Sequence, residues 1–147
     1  MILLVEDNED HAEIVMRSFM ASQSDHSIRH VTDGETALDY LLRRGEYSDP
    51  QKSPIPKLIL LDLRLPKVDG LEVLKEIKQT EELRGIPVVI LTSSQAGNDV
   101  KMAYSYYANS YVVKPLDFEK LTELMQDLAT YWLEWNVNPF GQDHPGQ

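Results

Sequence analysis

The stretch Leu58-Ile59-Leu60-Leu61-Asp62-Leu63-Arg64-Leu65-Pro66 constrains this chain more than any other. Four apolar residues in a row are too few for a helix, and with Pro56 just upstream they read as a fully buried strand. A single carboxylate, Asp62, stands at the strand's end, and the loop after it carries Pro66, Asp69 and Gly70. Open parallel sheets place their chemistry outside the carboxyl ends of their strands. An acid there is either a helix cap or a reactive group, and the ends of the other strands decide between the two.

Four more short apolar runs alternate with helical patterns. Ile2 to Val5 is a strand followed by Glu6-Asp7-Asn8-Glu9-Asp10, in which Asn8 is an N-cap and Glu9 and Asp10 lie in the first helical turn, where the dipole favours acids. Ala12, Val15, Met16 and Phe19 recur at helical spacing. Ile28 to Val31 is a weaker strand, turned by Asp33-Gly34 into a helix through Ala37, Leu38, Leu41 and Leu42. After the central strand, Leu71, Val73, Leu74 and Ile77 form an amphipathic helix, and Pro87 to Leu91 is the fourth strand, ending at Thr92-Ser93-Ser94. A short helix around Val100, Met102, Ala103 and Tyr106 leads to the fifth strand, Ser110 to Val113, ended by Lys114-Pro115. Asp117 then caps a long terminal helix that the periodicity carries through Trp135. This alternation is that of an α/β domain, a five-stranded parallel sheet covered by helices on both faces. Residues 1–135 form that domain, the Pro-rich stretch 45–57 is a surface loop, and 136–147, with two prolines and two glycines, reads as a disordered tail.

The residues at the strand ends are the informative ones. Strand one ends in Glu6-Asp7, strand three in Asp62, strand four in Thr92 and strand five in Lys114. In a parallel sheet all of these ends face one side, so the side chains converge. Three carboxylates gathered together repel one another and need a cation. With only oxygen ligands the ion is expected to be Mg²⁺, which takes one or two carboxylates plus water and phosphate oxygens. An ammonium and a hydroxyl beside an aspartate then make a site for phosphoryl transfer, with Asp62 as nucleophile.

In these motifs the chain resembles the receiver domain of two-component response regulators, over residues 1 to about 135. Glu6-Asp7 matches the acidic pair and Asp62 the phospho-accepting aspartate. Leu65-Pro66 and Asp69-Gly70 match the loop after it. Thr92 matches the switch hydroxyl, Tyr111 the switch aromatic, and Lys114-Pro115 the lysine with its cis-proline. The resemblance implies a flavodoxin-like sheet of order 2-1-3-4-5. It implies Mg²⁺ held by Asp7, Asp62 and the backbone carbonyl of Arg64, with Glu6 acting through water. Thr92, Lys114 and the Ser93 amide are implied to hold the phosphoryl oxygens. A sensor histidine kinase is the implied donor, and the chain would turn over no separate substrate. The long 45–57 loop and the ending Tyr131-Trp132-Leu133-Glu134-Trp135 are similar to the stand-alone regulators that partner cyanobacterial phytochromes.

A net charge of −10 and the lack of a basic stripe argue against nucleic-acid binding. Neither a membrane span nor a signal peptide is visible, and without cysteine there is no disulfide or thiolate metal site, so a cytoplasmic protein is expected. An FMN carrier of the same fold class needs a Gly- or Ser/Thr-rich loop after strand one, whereas Glu6-Asp7-Asn8-Glu9 repels phosphate. A phosphatase working through an aspartyl phosphate wants an acid two residues after Asp62, where Arg64 stands. A degenerate receiver used only as an interaction module conflicts with an intact Asp62, Glu6-Asp7 and Lys114. His11, His26, His30 and His144 show no ligand spacing and read as surface residues. Tyr131, Trp132 and Trp135 are expected to overhang the sheet and pair the terminal helix with that of a second copy.

Overall fold

The sheet is the one the strand runs predict. In the computed structural model, which describes residues 1–21 and 26–139, β1 (Ile2–Val5) pairs in parallel with β2 (Ile28–Val31) on one side and β3 (Leu58–Leu61) on the other. β4 (Val88–Thr92) and β5 (Ser110–Val113) complete the order β2-β1-β3-β4-β5, all parallel. β4 runs one residue later than its apolar run suggested. Pro87 has no N–H to give the ladder, but its carbonyl accepts from Ile59 at 3.0 Å, and Thr92 is taken into the strand.

Side-chain alternation along each strand divides the core into two layers. Leu3, Val5, Ile59, Leu61, Val88 and Ile90 point to one face, where α2 (Gly34–Leu41), α3 (Gly70–Gln79) and α4 (Gly97–Ser105) cover them with Leu38, Leu74, Ile77 and Ala103. Ile2, Leu4, Leu58, Leu60, Val89 and Leu91 point to the other, against Val15 and Phe19 of α1 (Glu9–Met20) and Leu121 and Met125 of α5 (Phe118–Thr130). Each of these large side chains is worth about 1.5–3 kcal/mol of burial, so the two layers fix the register of every strand end.

Four of the five α-helix starts among the described residues are set by short polar caps, the exception being α4, which starts after Ala96. Asn8 accepts from the His11 N–H at 3.0 Å, Asp33 from Thr36 at 2.7 Å, Asp69 from Leu71 at 3.4 Å, and Asp117 from Glu119 at 2.8 Å. Asp7 and Asp62 cap no helix. The caps are Asn8, next to Asp7, and Asp69, seven residues after Asp62, so neither carboxylate is spent on a helix start.

The 45–57 segment is a surface loop, pinned in part through Tyr40. Tyr47 packs edge-on against Tyr40 at 5.3 Å, and the buried Tyr40 donates its hydroxyl proton to the Pro54 carbonyl at 2.6 Å. The chain end departs from its periodicity. α-Helical geometry stops at Thr130, and Tyr131–Trp135 forms one wider turn closed by the Asn136 N–H on the Tyr131 carbonyl at 2.7 Å. Trp132 and Leu133 are thereby turned onto the chain's own α1–α5 layer, while Tyr131 and Trp135 stay 50% and 75% exposed. Of the expected tail 136–147, Asn138 lies back on the loop before β3, donating to the Lys57 carbonyl at 2.8 Å. Residues 140–147 lie outside the described residues.

Candidate functional site

The carboxyl ends of β1, β3 and β5 bring Glu6, Asp62 and Lys114 together. The Lys114 ammonium, almost wholly buried, donates to Glu6 Oε1 at 2.6 Å and to Asp62 Oδ2 at 3.2 Å. Asp7 is exposed, and one oxygen each of Glu6, Asp7 and Asp62 lie within 4.8 Å of one another. Two backbone amides add direction. Asn8 N–H donates to Glu6 Oε2 at 3.2 Å, and Arg64 N–H to Asp62 Oδ1 at 3.3 Å. Burial, with the charge of Asp62 adding to it, lifts the Glu6 carboxyl to about 7 against the pull of Lys114.

The loop after Asp62 explains its glycine. A Cβ on Gly70 would stand 2.2 Å from the Asp62 carbonyl oxygen and 2.5 Å from Leu63 Cα, both backbone. The Gly70 N–H also donates to the Leu63 carbonyl at 2.9 Å, so α3 starts in direct contact with the acceptor strand's exit. Only a residue without a side chain allows that approach.

Thr92 is fully buried at the end of β4, next to β3 in the sheet. Its Oγ1 accepts from the Ser94 N–H at 3.3 Å, and its carbonyl from the Lys114 N–H at 2.8 Å. Tyr111 is half-buried and donates its hydroxyl to the Ser94 carbonyl at 3.0 Å. The Lys114–Pro115 peptide is trans, which corrects the expected cis-proline: described peptide bonds are all trans. The X–Pro preference for trans is only about 0.5–1 kcal/mol, so the isomer belongs to the surrounding turn and not to the dipeptide.

Besides His30, not the surface residue expected but part-buried in β2 with Nε2 2.7 Å from the Glu6 carbonyl oxygen, two features escaped the sequence reading. His11 is no ordinary surface residue, because its Nδ1 lies 3.0 Å from Lys114 Nζ. Asn8 caps α1, so His11 falls in the helix's first turn, one turn before Val15 on the sheet-facing side. That placement was the available signal. The second feature is the side chain of Arg64, which pairs with the buried Asp99 of α4. Asp99 also accepts from Ser94 Oγ at 2.5 Å, so Arg64, Asp99, Ser94 and Tyr111 form one connected network beside the site.

A flavodoxin-like sheet that gathers an acid pair, an aspartate and a lysine at its carboxyl edge defines a phospho-accepting receiver, and known proteins bear this out. The chain belongs to the response regulator receiver domain family, whose model matches residues 2–126. It is 49% identical over 139 residues to the probable methanogenesis regulatory protein FilR2 of Methanothrix harundinacea, covering 94% of this chain and 86% of that one. It is 43% identical over 133 residues to the response regulator Rcp1 of Synechocystis, covering 90% and 88%. Among solved structures, the Mn²⁺-bound form of Rcp1 superposes with a TM-score of 0.90 at 42% identity, covering 94% of this chain and 97% of that one. The phosphorylated cyanobacterial phytochrome response regulator RcpA gives 0.89 at 37% identity, covering 94% and 96%.

Receivers of this family are phosphorylated on an aspartate, bind a divalent metal in an acidic pocket, and are not enzymes in the usual sense. The donor set here fits such an ion. When all are ionised, three carboxylates against one ammonium leave two uncompensated negative charges, and the ligating atoms are all hard oxygens. Among the described residues no helix is long and apolar enough to cross a membrane.

Proposed function

We propose that this chain is a stand-alone, cytoplasmic response regulator in which Asp62 takes a phosphoryl group from the phosphohistidine of a sensor histidine kinase. The observation that carries the reading is the Asp62 carboxylate at the end of the fully buried central strand β3, with Lys114 at 3.2 Å and the Glu6-Asp7 pair beside it. An Asp62 oxygen bonds to phosphorus as the bond to the donor's imidazole nitrogen breaks, and the electron pair stays on that nitrogen. Asp7, Asp62 and the Arg64 carbonyl are the groups to hold Mg²⁺, with Glu6 acting through water. When bound, the ion supplies charge neutralisation for the phosphoryl oxygens. Lys114 offers its ammonium to one of those oxygens, and Thr92 and the Ser93 amide are the further donors. The chain turns over no separate substrate and loses the phosphoryl group slowly to water.

Phosphorylation draws Thr92 toward Asp62, which ends its contact with the Ser94 N–H and gives Tyr111 room to turn inward. The kinase is of phytochrome type, a reading supported by the likeness to Rcp1 and RcpA. Output runs through a homodimer of the terminal segment. Tyr131 and Trp135 present its exposed rings, and Trp132, packed at right angles to Tyr131 at 5.1 Å, supports that ring from the core side. The test is labelling by acetyl phosphate with Mg²⁺. Asp62→Asn is expected to abolish labelling while the fold persists; undiminished labelling in that variant removes the assignment.

A further inference from the structure

We infer that His11 is a positioning residue for phosphoryl transfer to Asp62, holding the Lys114 ammonium in place through its Nδ1 lone pair. The inference rests on the phospho-acceptor reading above and concerns a residue outside the receiver motifs that carried it.

A lysine ammonium has three N–H donors and no acceptor. Here all three have partners: Glu6 Oε1 at 2.6 Å, Asp62 Oδ2 at 3.2 Å and His11 Nδ1 at 3.0 Å. Two acceptors leave the ammonium free to swing about the line between them; a third fixes it at a point. The third acceptor is also neutral. A carboxylate in that place would give the cluster a third uncompensated negative charge and set the lysine against the phosphoryl group. Imidazole adds direction without adding charge. The His11 backbone N–H is fixed by the α1 cap at Asn8, and its ring packs against the edge-on ring of Phe118 from α5 at 6.0 Å.

The contact dictates a protonation state. Lys114 has nothing but protons to offer, so His11 Nδ1 carries the lone pair and the ring proton sits on Nε2. An imidazolium has no lone pair and cannot keep the contact. The groups facing the ring are Lys114 from the β5 exit, Asp62 from β3, and Asp7 and Asp10 from its own end of α1. Burial, followed by Lys114, lowers the His11 pKa below its ordinary value against the opposing pull of those three carboxylates. The neutral form that the contact needs is therefore the form held at neutral pH.

The experiment compares acetyl phosphate labelling rates of wild type, His11→Leu and His11→Gln at saturating Mg²⁺ from about pH 5 to pH 8, a range spanning the histidine titration. Ratios between variants at one pH cancel the titration of the donor and of the acids. His11→Leu is expected to be about tenfold slower than wild type at the alkaline end, the loss of one hydrogen bond to a charged group. That ratio should fall toward one as wild-type His11 protonates. His11→Gln, with an acceptor that does not titrate, should label near the wild-type rate at high pH and faster than wild type at low pH. Nitrogen NMR of the metal-free protein should show an unprotonated Nδ1 with the proton on Nε2. A His11→Leu ratio of one, a ratio that does not move with pH, or a proton on Nδ1 overturns the inference while the phospho-acceptor reading stands. A wild type that takes no label overturns both.

Discussion

Removing the Lys114 ammonium isolates the electrostatics of this site from its packing. Among the described residues Lys114 is the cation paired with both Glu6 and Asp62, and all three side chains are buried. Lys114→Met keeps most of the volume and deletes the charge, leaving two buried carboxylates uncompensated beside Asp7. Breaking a buried pair in this way costs about 3–5 kcal/mol. Here the upper end is softened, because Glu6 already titrates at about 7 and without Lys114 takes up a proton more readily still. The expected loss in urea denaturation is therefore about 3 kcal/mol at pH 8 in metal-free buffer and smaller near pH 5. Two rescues follow from the same cause. Mg²⁺ at one fixed concentration should stabilise Lys114→Met more than wild type, because a site without its ammonium binds the cation more tightly, and Glu6→Gln in the Lys114→Met background recovers part of the loss by removing one of the two charges. A loss below about 1 kcal/mol, below the range for breaking a buried pair, and indifferent to pH, Mg²⁺ and Glu6→Gln would refute the argument that the lysine offsets a charged cluster.

In the metal-free protein, Glu6 has its folded pKa raised from 4.5 to about 7, so the fold holds a proton that the unfolded chain gives up. Its contribution to stability is full below about 4.5 and is lost as pH rises through about 7. Mg²⁺ binding should consequently release protons between these values and strengthen with pH, as calorimetry in buffers of different ionisation enthalpy would detect. Gly70→Ala places a Cβ against the Asp62 backbone. It should cost about 1–3 kcal/mol in denaturation and slow acetyl phosphate labelling by displacing Asp62; wild-type values in both assays would count against the close approach. Arg64→Ala should barely change stability, since its guanidinium is largely exposed, about 0–1 kcal/mol. It should nevertheless speed amide exchange at Ser93 to Gln95, because Asp99 then holds Ser94 without its own partner. For the terminal segment, Trp135→Ala is expected to weaken self-association in sedimentation with little loss of stability, whereas Trp132→Ala should also destabilise the monomer through the α1–α5 layer.

How much of this was legible in the sequence follows from what each feature depends on. β1, β3 and β4 are buried on both faces, so every residue but the closing Thr92 is apolar and the run itself announces the strand. β2 and β5 are the sheet's edges, only partly buried, and their runs are correspondingly mixed, Ile28-Arg29-His30-Val31 and Ser110-Tyr111-Val112-Val113. The convergence of Glu6, Asp62 and Lys114 needed nothing beyond the topology, because parallel strands must end on the same side. The terminal segment was misread beyond Thr130 for the opposite reason. Its apolar spacing suits a helix whether or not one turn widens, and the widened turn decides which rings meet the core and which meet water.

Contacts between layers carry no periodicity at all. Arg64 reaches Asp99 across 35 residues, and His11 reaches Lys114 across 103, each joining a strand exit to the first turn of a helix. Such contacts depend on how far a side chain extends over the sheet edge, which hydrophobic pattern does not report. A physical rule does bound where they occur. A helix that starts just past a strand's carboxyl end projects its first turn over that edge, so polar residues there on the sheet-facing side stand within reach of whatever the neighbouring strands deliver. By that rule His11 in the first turn of α1 and Asp99 in the first turn of α4 are second partners of the site, placed by the same topology that gathers its acids.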